Sequence, residues 1–314
     1  MIKITTDSTC DLPIPLLGEN NITVVPLGIV KGERVYQDGV DIHPADIAAH
    51  VDAGGDITTT SAVNTVDYHE LFSKLLKEYD AVIHINLGAG FSCCHQNARI
   101  AAEELPGVYV VDSANLTVGI GELALRAARM AREGRAPEEI VAELESLRDR
   151  LEVSFVLDRL DYMKKGGRCN SVTAIGANLL KLHPCVEVID GKMSVTKKYR
   201  GSMERVVTEY LHDRLDGRTD IDTERVWLVD TAFSPALADT AKEVLRADGR
   251  FGTILEGKAG CTIFSHCGPN TLGIAFFHKK NTRLPPLPDK TVTANTSGQK
   301  NTPLPERQGT IHHY

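Results

Sequence analysis

The first residues with chemical potential form a glycine-rich turn, Gly88-Ala89-Gly90-Phe91-Ser92, after an apolar run at residues 81–87 and before a segment with helical spacing. Free N–H groups and the dipole at a helix N-terminus favour an anion. Ser92, at the expected N-cap, adds a hydroxyl to the same place, although capping the helix alone would also explain it. Gly88 and Gly90 also supply the first two glycines of a dinucleotide turn, with Asp112 ending the next strand where a ribose-binding acid would stand. That alternative is an NAD(P)-dependent oxidoreductase. Against it, Cys93 holds the third glycine position and the strand is internal.

A second polar feature is TTTSAVN, residues 58–64, just before a helix opening near Thr65. Unpaired hydroxyls are costly to bury, so the run is either a water-facing loop or a polar site. His266 lies inside an apolar run, where a satisfied core imidazole is the ordinary reading. No G-x-S-x-G elbow or Ser/His/Asp order supports a hydrolase, and no phosphate-cradling loop supports nucleotide hydrolysis. His266-Cys267 with Cys261 is too sparse for zinc. Two basic groups, Lys164, Lys165 and Arg168, then Lys197, Lys198 and Arg200, read as a solvated face or as a dock for an acidic partner.

Positioning these residues requires alternating strands and helices. Strand patterns at residues 2–6, 22–29, 81–87 and 108–111 interleave with helical ones near 93–105, 121–133 and 137–151, which implies a parallel sheet covered on both faces. Beyond residue 153 the pattern changes. A short helix stops at Gly166-Gly167, a small-residue apolar segment covers 177–182, and two alternating runs meet at Asp190-Gly191, a hairpin with a type I′ turn. The expectation is an α/β chain of two lobes, residues 1–165 with the mainly parallel sheet and 166–280 with the hairpin, and a ligand site between them. Residues 281–314 hold five of the 14 prolines and few large apolar residues, so a disordered tail is expected.

Composition narrows the function. The 314 residues are 42% hydrophobic and 25% charged, enough for a real core. A net charge of −7 and a pI of about 5.9 argue against nucleic acid as the main partner. The N-terminus reads as no signal peptide, and no apolar run approaches the roughly 18 residues of a membrane span. Seven scattered cysteines without CxxC suit reduced thiols in the cytoplasm.

Several motifs in register resemble the DegV family of fatty-acid-binding proteins over about residues 1–280: TTDSTCDLP, TTSAVN, GAGFSCCHQNA, VVDSANLTVGIG, LDYMKKGGRCNS, LLKLHPCVEVIDGKM and SHCGPNTLGI. The resemblance implies an acyl chain in a tunnel and a carboxylate held by Thr60, Ser92 and His266, with Ser61 and Cys93 beside them. It also implies a non-catalytic carrier of palmitate- or oleate-class acids, without a cofactor, that presents the carboxyl to the ATP-binding subunit of a fatty acid kinase. Lys164, Lys165, Arg168, Lys197, Lys198 and Arg200 are then the expected dock. Cys93-Cys94 and Ala62-Val63-Asn64 depart from the family pattern beside the head group.

Overall fold

A computed structural model describes residues 1–174, 182–232 and 234–280. The tail from 281 and residues 177–181 of the small-residue segment lie outside the described residues. Strand β1 (Ile2–Asp7) leads through a 3-10 turn and α1 (Ile14–Glu19) to β2 (Ile22–Val25). The apolar run expected over 22–29 is two strands, because Pro26 breaks it and β3 (Gly28–Lys31) enters a different sheet. β4 (Arg34–Gln37), α2 (Pro44–Asp52), β5 (Thr59–Ser61), α3 (Thr65–Leu75), β6 (Ala81–Asn86), α4 (Cys94–Ala102), β7 (Val108–Asp112), α5 (Val118–Arg132) and α6 (Pro137–Arg148) follow.

The second half comprises β8 (Leu151–Val156), α7 (Leu160–Gly166), α8 (Asn170–Thr173), β9 (Leu182–Ile189), β10 (Lys192–Arg200), α9 (Met203–Leu215), β11 (Arg225–Thr231), α10 (Pro235–Asp248), β12 (Thr253–Lys258), α11 (Cys261–Cys267) and β13 (Thr271–Phe277). Strands β2-β1-β6-β7 make a wholly parallel sheet. Both faces of such a sheet are covered, and β6 is buried along its whole length. Strands β10-β9-β8-β13-β11-β12 make a mixed second sheet, and β4-β3-β5 a small antiparallel one. By hydrogen bonding the second sheet begins at Leu151, upstream of residue 165.

Local signals in the sequence hold in this architecture. Asp190 and Gly191 both have positive φ, 49° and 68°, as a type I′ hairpin turn requires. Gly167 ends α7 in the left-handed conformation with its N–H on the Met163 carbonyl. Asn64 caps α3 by accepting from the Asp67 N–H. Ser92 differs from its expectation: α4 starts at Cys94 and its N-cap is Cys93, so Ser92 stands one residue further out. The run 58–64 is also no water-facing loop, since residues 59–61 pair with β3.

Candidate functional site

Three walls enclose a cavity of about 120 Å³. The first is the glycine turn after β6. Its footing is Asp7, fully buried, whose carboxylate accepts from the Leu87 N–H at 2.8 Å and the Tyr68 hydroxyl at 2.6 Å. Burial alone would raise the Asp7 pKa, but His84, Tyr68 and the Leu87 amide together hold it below the usual value. Asp112 braces the turn from the side, accepting from the N–H groups of Ala89 and Ala114. At Gly90 an ideal Cβ would lie 2.2 Å from the Gly191 carbonyl oxygen, so only glycine lets the hairpin tip rest on the turn.

These contacts correct the dinucleotide alternative. Asp112 Oδ1 accepts from two backbone amides, and protein backbone fills the space beside Gly88 and Gly90 where a pyrophosphate would approach. Ser92 lines the cavity, and its oxygen accepts from the Cys94 N–H at 3.2 Å while its hydroxyl lies 3.2 Å from the Cys94 sulfur. Burial and then the Asp7 charge push the Cys94 thiol up to about 11, so it carries its proton. Cys93 is exposed at the rim.

The second wall is β5. The Thr58 hydroxyl is 2.7 Å from that of Ser265, and Thr60 Oγ1 is 2.9 Å from His266 Nε2. Ser61 lines the cavity too, and its oxygen sits where a side chain at 28 would be, which Gly28 leaves free.

The third wall is α11, pinned at its start by residues far away in sequence. Asp38 accepts from the N–H groups of Cys261 and Thr262, from the Thr262 hydroxyl and from Ser8. Asp11 accepts from the Gly260 N–H. Burial first, and then the Arg168 charge, lower the His266 pKa to about 4, so the imidazole is neutral at pH 7. Its Nδ1 is buried without a hydrogen-bond partner, and an ideal Cβ at Gly166 would sit 2.1 Å from that atom. An orphaned buried N–H is rarer than an under-satisfied acceptor. The favoured tautomer therefore donates Nε2–H to Thr60 Oγ1, which leaves the Thr60 hydroxyl hydrogen for a ligand acceptor.

Leu27, Leu87, Phe91, Leu116, Met163 and Met193 make the remaining walls apolar. The structure thus brings Thr60, Ser61, Ser92, Cys93 and His266 to one cavity and adds Arg168, which sequence reasoning set aside for docking. Arg168 donates to the Phe91 and Gly166 carbonyls and lines the opening. The other basic residues separate. Lys164 is partly buried and Lys165 exposed in the last turn of α7. Lys197 pairs with Asp213 of α9, on the same face of β10 as the buried Tyr199, whereas the exposed Lys198 and Arg200 alternate to the other face. Gly166 and Asp38 were missed. The only signal for Gly166 was a second glycine where one C-cap suffices.

A model of the DegV family matches residues 1–279. This chain belongs to the DegV family. A DegV domain-containing protein of Caldanaerobacter subterraneus subsp. tengcongensis is 35% identical over 283 residues, 89% of this chain and 99% of that one. Among solved structures, a fatty-acid-binding DegV family protein from Thermus thermophilus superposes with a TM-score of 0.80 at 32% identity, covering 88% of this chain and 99% of that chain. A fatty acid (stearic acid)-binding protein from Eubacterium ventriosum gives 0.76 at 25% identity, covering 89% and 99%. Among the described residues no cluster of three or more His, Cys, Asp or Glu could hold a metal, all seven cysteines are unpaired, and no helix is long and apolar enough to cross a membrane.

Proposed function

We propose that this DegV family chain is a non-catalytic carrier of a palmitate- or oleate-class fatty acid in the cytoplasm. The observation that carries the reading is a cavity lined mostly by apolar side chains that also holds the hydrogen-bonded Thr60–His266 pair, Ser61, Ser92 and Arg168. A carboxylate is prohibitive to bury alone but tolerable with charge-assisted hydrogen bonds. Thr60 donates its hydroxyl hydrogen to it, Ser92 turns its own from the weakly accepting sulfur, and Ser61 and Cys93 border the head group. Arg168 supplies the compensating charge. The Thermus thermophilus and Eubacterium ventriosum relatives bind fatty acids, which supports the same ligand class here.

The carrier presents the carboxyl to a separate ATP-binding subunit of a fatty acid kinase. Lys165, Lys198 and Arg200 are exposed and offer charge to an acidic face of that partner, whereas Lys197 is paired to Asp213 and Lys164 is partly buried. The decisive experiment is mass spectrometry of lipid extracted from the purified protein, followed by titration with oleate. One equivalent of a long-chain acid is expected. Neither recovered acid nor uptake would refute the reading. For the partner, kinase turnover with Lys198→Glu and Arg200→Glu together should fall, most of all at low salt, while lipid content stays.

A further inference from the structure

A second cavity, of about 500 Å³, shares no lining residue with the first. Helix α5 gives it Arg126, Arg129, Met130 and Glu133, which stand three and four residues apart on one helix face. Arg135 comes from the turn before α6, Arg150 from just before β8, and Lys279 and Lys280 from just after β13. Six cations thus face three acids, Glu133, Glu143 and Asp222, on a chain whose net charge is −7. We infer that this cavity binds a small soluble polyanion bearing linked phosphates, of the pyrophosphate class.

The charge in the cavity is largely unspent. Among the described residues, Arg126 alone of the six cations hydrogen-bonds to a carboxylate, donating to Glu122 and Glu224. Arg150 gives Nε and Nη2 to the His278 carbonyl, Arg135 gives its donors to the Met130 sulfur and the Glu139 carbonyl, and Lys279 donates to the Thr219 carbonyl. These acceptors are neutral. Arg129 meets Glu133 only at 3.8 Å and Arg150 meets Asp222 only at 3.9 Å, beyond hydrogen-bond range. Arg214 and Arg218 show the contrary arrangement, each hydrogen-bonded to two carboxylates, among Glu152, Glu187 and Asp220.

Met130, Leu147 and Phe277 make the apolar part of the lining, and a low-dielectric wall strengthens the field of the cations beside it. The Arg126 and Arg150 guanidinium groups lie 5.4 and 5.9 Å from the Phe277 ring centroid, which holds both in place. Guanidinium forks match phosphate oxygens in pairs. The cations come from four separate segments, so a single carboxylate reaches few of them, whereas linked phosphates present charge to several at once.

The experiment titrates the whole chain with pyrophosphate by calorimetry at low salt, unmodified, with Arg129→Gln and Lys279→Gln together, and with Arg150→Gln. Each variant should lower the affinity by about tenfold or more, as the loss of charge-assisted hydrogen bonds would. Arg129 and Lys279 are exposed, so the double variant decides the matter if Arg150→Gln fails to fold. Arg205→Gln with Arg246→Gln removes two exposed cations outside the cavity and should leave the affinity within about twofold. An equal loss in that control would reduce the binding to overall charge and overturn the site. Competition by oleate would place pyrophosphate in the first cavity and overturn it as well. So would no heat with pyrophosphate, whether or not the chain binds vesicles of phosphatidylglycerol. The fatty-acid reading stands or falls separately, because the lipid content of all variants should stay at the unmodified level.

Discussion

On the glycine-turn side of the cavity, the polar groups have partners of their own. Ser92 is bonded to the first residue of its helix, and Asp7 and Asp112 secure the turn beneath and beside it. On the α11 side, His266 has one nitrogen on Thr60 and the other buried against Gly166 with nothing to bond. The first wall is satisfied by sequence-local contacts and by one sheet. The α11 side is assembled from residues 38, 60, 166 and 266 and holds a neutral imidazole out of water at a cost. In the tautomer that donates to Thr60, the Thr60 hydroxyl hydrogen is the donor left over, and on the proposed reading it is what the α11 side offers a carboxylate.

The contrast is broken most severely at Gly166. A methyl group there cannot coexist with the imidazole in place, but the ring is the end of a side chain and can swing away. Gly166→Ala should therefore lose about 1 kcal/mol or somewhat more of stability while oleate affinity falls more than about tenfold. A thermal melt beside a titration checks both. If affinity survives, the ring position does not matter.

Titration of His266 probes the same wall without a substitution at 166. Its pKa is lowered from 6.5 to about 4 by burial and Arg168, so the unfolded chain binds the extra proton first. The stability tied to the neutral form is whole above pH 6.5 and is lost as pH falls from there to about 4, by roughly 3 kcal/mol in all. Urea melts from pH 7 to pH 4.5 should show a loss that His266→Asn abolishes. Parallel pH profiles in the two proteins would contradict it.

Thr60→Val keeps the shape of the side chain and removes the imidazole's partner. We expect a loss of about 1–3 kcal/mol and protein purified with little lipid, measured by denaturation and by extraction. Ser92→Ala should be milder on both counts, costing about 0.5–1.5 kcal/mol for one hydrogen bond and lowering oleate affinity less than Thr60→Val does. If the order reverses, the glycine-turn wall carries the head group and the comparison fails.

Much of this site was legible before folding, for reasons that differ by residue. The turn at 88–92 is a local pattern, an apolar run, two glycines and a helix start, and short-range sterics specify it. The Asp190-Gly191 hairpin follows from the positive φ its turn demands. By contrast, Ser92 was displaced from its expected capping position by one residue, an error within the ordinary uncertainty of helix ends. Arg168 was read from its charge alone, which says nothing about the direction its guanidinium takes.

The sequence by itself determined the alternation of strands and helices, the family and the chemical types at positions 60, 92 and 266, because each depends on local pattern or on motifs in register. Only the tertiary structure decided that Asp38 holds the start of α11, that Gly166 admits the His266 ring, and that Asp112 braces the glycine turn through Oδ1. The physical reason is range. A cap or a turn is settled by neighbours a few residues apart, whereas the distance from Thr60 to His266, spanning 206 residues of chain, exists only once three sheets have packed.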